Sequence, residues 1–378
     1  MVLFGTFDAV RGATLPAIRT EFGVLYNLFG LSFSLATLGF MAAIYAAGRL
    51  ATGRGLRLVL VIGLTLVAIA QAGSALITGF LSFTLILLVM QTGGGFLEMG
   101  LNGIGSSLFI RRPAVGMSML HLFFGVGSAL AGGFAGRISM TALGWRAAYL
   151  APIILTLPLL MLFSVAAFPV RDETTDDSSA THANDERLRV ALRKPGVRML
   201  AALLGIAILL EIGIGSWLVN FLVVTREYTE AEAGVYLSLF FGLFTFGRLV
   251  CPYLAEHFGY LRTIQWFGIG ALLSVVAGYL FPVWPGLFSL AGLFVSILYP
   301  TIMGQLINTY GSRATRLMGP LLVAAITLAT IGNWLIAGLH DVMGVGPGFM
   351  SVTLVAIALS VTARRAGRHY SFSSNSTS

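Results

Sequence analysis

Three carboxylates, Asp8, Glu98 and Glu211, stand inside otherwise apolar stretches of this chain. In a lipid-spanning helix an ionisable residue costs about 2.5–3.5 kcal/mol on insertion scales, so each asks for a reason. Reversible protonation is the chemistry open to such a group, because desolvation is the general means of making a carboxyl protonatable near neutral pH. Glu98 has the best-defined setting. It follows Gly93-Gly94-Gly95, and Gln91, Gly95, Glu98 and Asn102 recur at helical spacing on one face. Lipid cannot satisfy such a polar stripe, so it is expected to meet a cavity or a neighbouring helix. Asp8 has Arg11 one turn later. The two can form a structural ion pair, or a protonation site with its counter-charge. Glu211 falls within one residue of the position related to Asp8 by the internal repeat described below, and Gly213, Gly215, Trp217 and Asn220 follow it.

Further polar groups suit a hydroxylated, neutral solute. His121 can titrate or bond a hydroxyl. Tyr299-Pro300 interrupts an apolar helix and frees a backbone carbonyl, a recurring pointer to transporter sites, with Gln305 and Asn308 beyond it on a shared face. Asn333 and Trp334 offer an amide and a ring. The expected solute-binding set is therefore Gln91, Asn102, His121, Trp217, Asn220, Gln305, Asn308, Asn333 and Trp334. Asp8, Glu98 and Glu211 are the expected proton-coupling set.

These residues need membrane helices to position them. Hydrophobic residues make up 57% of the 378 positions and charged residues 10%, with a mean hydropathy of +0.90. A soluble domain carries roughly 25% charged residues. Apolar runs of spanning length predict helices at 1–17, 26–47, 57–78, 80–108, 114–137 and 146–168. A second set follows at 199–224, 232–254, 262–281, 285–310, 316–339 and 346–363. The predicted fold is all-α and membrane-embedded, with about twelve spans in two matched halves, 1–168 and 199–363. Residues 169–198, dense in charged residues with Ser, Thr and Asn between them, read as a solvated linker, and 364–378 as a polar tail. The net charge of +8 is spread over short gaps, without the basic stripe and aromatic platform of a nucleic-acid binder. Basic residues concentrate in the gaps on the linker side. Arg19, Arg137, Arg146 and Arg226 are the only ones opposite. The positive-inside rule then places linker and both termini in the cytoplasm, in a cell (inner) membrane.

One loop recurs. Gly48-Arg-Leu50-Ala51-Thr-Gly-Arg-Gly55-Leu-Arg57 follows span 2, and Pro252-Tyr-Leu254-Ala255-Glu-His-Phe-Gly259-Tyr-Leu-Arg262 follows span 8. Leu, Ala and Gly repeat at one offset and Arg follows, as a tight turn facing anionic lipid requires. Gly48, Arg49, Gly55 and Arg57, with Arg248 before the second copy, form the expected gating set.

The Gly48–Arg57 loop resembles the signature of the major facilitator superfamily between its second and third helices, and six-plus-six spans with a cytoplasmic linker match that superfamily's plan. Thr52 replaces the loop's usual acidic residue. Further segments resemble the fucose–galactose–glucose proton symporter family: Gly5 to Asp8 with Leu15-Pro16, Gly93 to Glu98 with Asn102, Leu120-His121 to Gly127, Glu211 to Trp217, and Leu298 to Thr301. That resemblance implies that Glu98 serves proton coupling and Asn102 is its neighbouring amide. Met119 and Leu122 replace the amides of fucose carriers, which argues against fucose itself. In the fucose branch the first-helix carboxylate lies nearer the proline than Asp8 does.

The chain is expected to be no enzyme: it has no phosphate loop with Lys, no metal-spaced ligand set and no nucleophile elbow. Cys251, the single cysteine, excludes an intrachain disulfide. No cofactor and no metal are expected. The expected partners are a small solute, a coupling ion (a proton ahead of sodium) and the lipid bilayer, with the chain monomeric. The expected function is proton-coupled uptake of a small neutral solute such as a sugar, by alternating access. The alternatives are a proton-coupled efflux antiporter, against which the absence of Pro between Gly125 and Gly133 counts, and a non-transporting sensor. Span 1 has about 16 residues before Arg19, short of the roughly 20 a span needs, so the true start is expected upstream.

Overall fold

The computed structural model describes residues 1–108, 113–166, 195–250, 252–311 and 314–375, with side chains described outside 105–121, 252–253, 315–316 and 369–375. The described elements are all helical. In chain order they are α1 (Val2–Phe22), α2 (Tyr26–Arg54), α3 (Leu56–Ser74), α4 (Phe80–Leu108), α5 (Pro113–Ser139), α6 (Gly144–Leu150) and α7 (Ile153–Val165). Then come α8 (Pro195–Arg226), α9 (Glu230–Val250), α10 (Pro252–Phe258), α11 (Tyr260–Leu280), α12 (Gly286–Val295), α13 (Leu298–Tyr310), α14 (Ala314–Met343) and α15 (Val345–Asn375).

Eleven stretches are long and apolar enough to cross a bilayer, with α6–α7 and α12–α13 each counting as one. α1 falls outside that set, because its Asp8, Arg11 and Arg19 lower its hydropathy, but not its reach. Its 21 residues span about 31 Å, the thickness of a bilayer's hydrocarbon core. It is therefore longer than the sequence predicts. Arg19 does not end the helix, because its guanidinium lies 4.1 Å over the Tyr26 ring and its carbonyl accepts the capping N–H of Gly23. Gly23 has φ +62°, a left-handed conformation that glycine adopts without strain.

Two predicted spans are broken, one is cut short and several are extended. Span 6 divides at Ala151-Pro152, and span 10 at Ser296-Ile297, ahead of Pro300. Span 8 ends at Val250, and the short α10 carries the second loop. The expected tail continues α15 as helix to Asn375. The expected linker lies outside the described residues as far as 194, and its end already belongs to α8.

The repeated loop has the same geometry in both copies. α2 runs helically through Arg54, and the chain turns on Gly55 (φ +84°, ψ 162°) into α3. α10 turns on Gly259 (φ +86°, ψ 143°) into α11. A β-carbon disfavours this positive-φ region, which is why glycine stands at both positions.

The chain divides into two compact units. The first comprises Met1–Asp172, Ser216–Ser238 and His340–Val345, and the second Glu173–Gly215, Leu239–Leu339 and Gly346–Ser378. In the first, α1 packs on α5, and α2 and α3 pack on α4. Side-chain-free positions make these approaches possible: a β-carbon on Gly5 would strike the Phe124 carbonyl, and one on Gly127 the Val2 carbonyl. In the second, α11 packs on α12 and α13. A β-carbon on Gly292 would strike the Phe240 carbonyl, and one on Gly205 would lie 2.9 Å from the Ala325 carbonyl. Without a hydrophobic drive between helices in lipid, such close packing is the main source of their association.

Candidate functional site

The three consecutive glycines of α4 face three different helices, because successive residues project about 100° apart. A β-carbon on Gly93 would lie 2.8 Å from the Gly63 carbonyl of α3, and one on Gly94 3.0 Å from the Phe4 ring of α1. One on Gly95 would strike the Phe40 carbonyl of α2. Glu98 projects from the turn that follows.

Asn102 Nδ2 donates to Glu98 Oε1 at 2.9 Å. Glu98 Oε2, Asn102 Oδ1 and Gln91 Oε1 are buried and have no hydrogen-bond partner among the described residues. The expected stripe thus becomes a row of half-satisfied polar groups. The open amide oxygens can accept from hydroxyls.

On α1, Arg11 Nη2 lies 3.4 Å from Asp8 Oδ1, so the ion pair predicted by their spacing forms. Arg11 is buried, its guanidinium lies 4.7 Å over the Phe33 ring, and its Nε has no partner among the described residues. One turn on, the Thr14 hydroxyl donates to the Val10 carbonyl and lies 3.3 Å from the buried Tyr149 hydroxyl.

Trp217 and Asn220, expected to bind solute, are fully buried in a packed aromatic cluster of the first unit. Trp217 stacks on His340, ring centroids 4.5 Å apart and planes 28° apart. Tyr26 meets Trp217 at 6.0 Å and His340 at 5.4 Å, and its hydroxyl donates to Asn220 Oδ1 at 3.3 Å. Sequence reasoning passed over Tyr26, His340 and Asp341, which sit at span ends. The side chain of His121 lies outside the described residues, within α5.

In the second unit, the contacts of one expected residue were not foreseen from the sequence. Arg248, expected with the loop, projects within α9 beside the break between α12 and α13. Its Nε lies 3.3 Å from the Ser296 carbonyl, and its guanidinium lies 4.2 Å over the Phe244 ring. In a continuous helix that carbonyl would accept the N–H of residue 300, which proline lacks. Arg248 thus takes up the carbonyl that Pro300 frees. Close approach makes this possible, since a β-carbon on Gly247 would strike the Ser296 hydroxyl. Glu211 and Tyr299 are the groups that act on Arg248 electrostatically.

The other expected residues disperse. Gln305 is buried and donates to the Thr309 hydroxyl at 2.8 Å, whereas Asn308 is exposed. Asn333 is buried while its neighbour Trp334 points outward, so amide and ring do not share a surface. In the loop, Arg49 lies 4.6 Å over the Tyr45 ring, the Thr52 hydroxyl donates to the Arg49 carbonyl, and Arg57 is exposed. A β-carbon on Gly48 would touch Met99. An apolar groove of about 570 Å³ between α5 and the start of α9, lined in part by Gly133, Arg137 and Ser238, includes none of these residues.

The model of the Major Facilitator Superfamily matches residues 1–305. Among solved structures, the E. coli fucose:proton symporter is similar at 19% identity, with a TM-score of 0.64 over 97% of this chain and 96% of that one. The same transporter in an outward conformation is 18% identical, with a TM-score of 0.64 over 97% of each chain. A D-xylose-proton symporter is 17% identical, with a TM-score of 0.76 over 97% of this chain and 94% of that one. These similarities concern the fold. No functionally curated protein matches the sequence.

Proposed function

We propose that this chain, which belongs to the Major Facilitator Superfamily, takes up a small neutral solute such as a sugar by alternating access, coupled to entry of a proton. Membership makes it a membrane transporter and not an enzyme. Solute class, coupling ion and direction are the proposal. The observation that carries it is Glu98: one oxygen is held by Asn102, and the other is buried without a partner among the described residues. Protonation removes the charge that such a group holds at a cost in lipid. The adjoining open amide oxygens of Asn102 and Gln91 suit hydroxyl donors. That two structural neighbours are proton symporters of fucose and xylose adds support for a sugar.

In this reading the deprotonated carboxylate resists the transition between access states, and binding of proton and solute together permits it. One proton descending about 150 mV supplies roughly 3.5 kcal/mol, enough for about two to three decades of accumulation. Asp8, paired with Arg11 in the first unit, and Glu211, which acts electrostatically on Arg248 in the second, are the further coupling carboxylates, and either can exchange its counter-charge for a proton during the cycle. The linker and both termini face the cytoplasm, as the distribution of arginines favours, and one chain suffices for transport.

Right-side-out vesicles with an imposed pH gradient and a panel of labelled sugars test this. Glu98→Gln, a permanent mimic of the protonated state, should abolish uphill uptake and leave solute counterflow intact. Uphill accumulation by Glu98→Gln would remove Glu98 from the coupling role. Solute leaving against its gradient, in exchange for protons, would establish export instead.

A further inference from the structure

The helix α2 begins without a cap of its own. Its N-cap residue is Leu25, which offers no side-chain acceptor, so the N–H groups of Tyr26 and Asn27 receive no side-chain cap from their own segment. They find one 315 positions away in sequence. Asp341, near the end of α14, accepts the Tyr26 N–H on Oδ1 at 2.9 Å and the Asn27 N–H on Oδ2 at 2.7 Å. Both carboxylate oxygens are engaged, and a negative charge at a helix N-terminus is favoured by the helix dipole as well as by the hydrogen bonds.

The same turn is held in three further ways. The Tyr26 ring packs against Trp217 of α8 and His340 of α14, its hydroxyl reaches Asn220, and Arg19 lies over it at 4.1 Å. Tyr26, Trp217 and His340 are all buried. These contacts join the start of span 2 to the ends of spans 7 and 11, all within the first compact unit. α2 ends at the Gly55 turn, so Tyr26 lies at the opposite face, about 44 Å along a 29-residue helix.

We propose that Asp341, capping α2 from α14, is a latch that keeps the solute pathway closed at the face opposite the linker, and that it must release each time the pathway opens there. The inference rests on the alternating-access reading. In that reading spans 2, 7 and 11 separate at one face in half of the cycle. A carboxylate that binds backbone N–H groups with both oxygens suits a reversible latch, because water can replace both partners when the helices part. The aromatic cluster beneath it then supplies the dry surface that excludes solute.

Spin labels at Leu25→Cys and Val342→Cys, both exposed positions, would report the separation in the full chain, with Cys251→Ser, in lipid nanodiscs. The native sequence should populate mainly a short distance, with a longer one appearing when proton and solute gradients drive turnover. Asp341→Ala should raise the ratio of long to short about tenfold, equivalent to about 1.4 kcal/mol. Asp341→Asn keeps the side-chain volume and one acceptor, so it should raise the ratio about threefold. It also serves if the alanine variant does not fold. Tyr26→Phe should move it less than Asp341→Ala. An unchanged ratio in both Asp341 variants, with the native sequence still switching distances, would overturn the latch and leave alternating access standing. A lower thermal midpoint at an unchanged ratio would make Asp341 a stabilising cap only. A single native distance during active transport would remove both readings.

Discussion

Replacing Arg248 by Met tests whether Glu211 and the broken helix depend on a single guanidinium. Met has similar length and no charge, so packing around Gly247 and Phe244 is largely kept. Three losses are expected: a charge-assisted hydrogen bond to the Ser296 carbonyl, about 1.5–3 kcal/mol; the stacking over Phe244 at 4.2 Å, about 0.5–2 kcal/mol; and the counter-charge of Glu211. At this half-buried position, removing the counter-charge adds about 1–2 kcal/mol, between the values for exposed and for buried pairs, so the whole is on the order of 3–7 kcal/mol. Glu211→Gln removes the negative charge that faces Arg248, but Arg248 keeps the Ser296 carbonyl and the ring, so a smaller cost, about 1–2 kcal/mol, is expected. The double variant loses the carbonyl bond and the stacking but strands no charge. It should recover both counter-charge costs, about 2–4 kcal/mol relative to the sum of the singles. The assay is the thermal midpoint of monodisperse protein in one detergent, compared across the four sequences, with solute counterflow measured in parallel. Strict additivity would refute the pairing, since independent groups add.

Two further predictions concern packing and the face opposite the linker. Gly95→Val should lower stability by about 1–3 kcal/mol by overpacking against the Phe40 carbonyl, whereas Gly53→Ala, where a β-carbon meets nothing, should be neutral in the same thermal assay. Arg146→Ala should cost about 2–4 kcal/mol, because its guanidinium binds both Glu21 and the Ile77 carbonyl and so ties α6 to the end of α1 and to the turn after α3. Lysine there should restore only part of the midpoint, since it cannot reproduce the forked contact.

Features that depend on neighbours along the chain are legible in the sequence. Hydropathy runs set the number of spans because every backbone group in lipid must be satisfied within its own helix. The repeated loop glycines announce the turns at Gly55 and Gly259, since the left-handed conformation is a local property. Pro300 announces the break in span 10 for the same reason. The Glu98–Asn102 bond and the Asp8–Arg11 pair follow from helical spacing, and the close approaches at Gly93, Gly94 and Gly95 follow from absent side chains.

Contacts between distant segments were not legible. Nothing near Arg248 in the chain links it to Glu211 or to the Ser296 carbonyl, so proximity in sequence assigned it to the wrong neighbourhood, the loop. Asn333 and Trp334, adjacent in sequence, project on different sides of their helix, and which side meets protein depends on its neighbours. Asp341 reads as an ordinary polar residue at a span end. Only the fold reveals that a helix beginning 315 positions earlier lacks a cap of its own and takes one from it. Local geometry is written in spacing and residue type, but the partner of a buried charge or an uncapped helix is chosen by which helices pack together, and in lipid that choice rests on side-chain shape across the whole assembly.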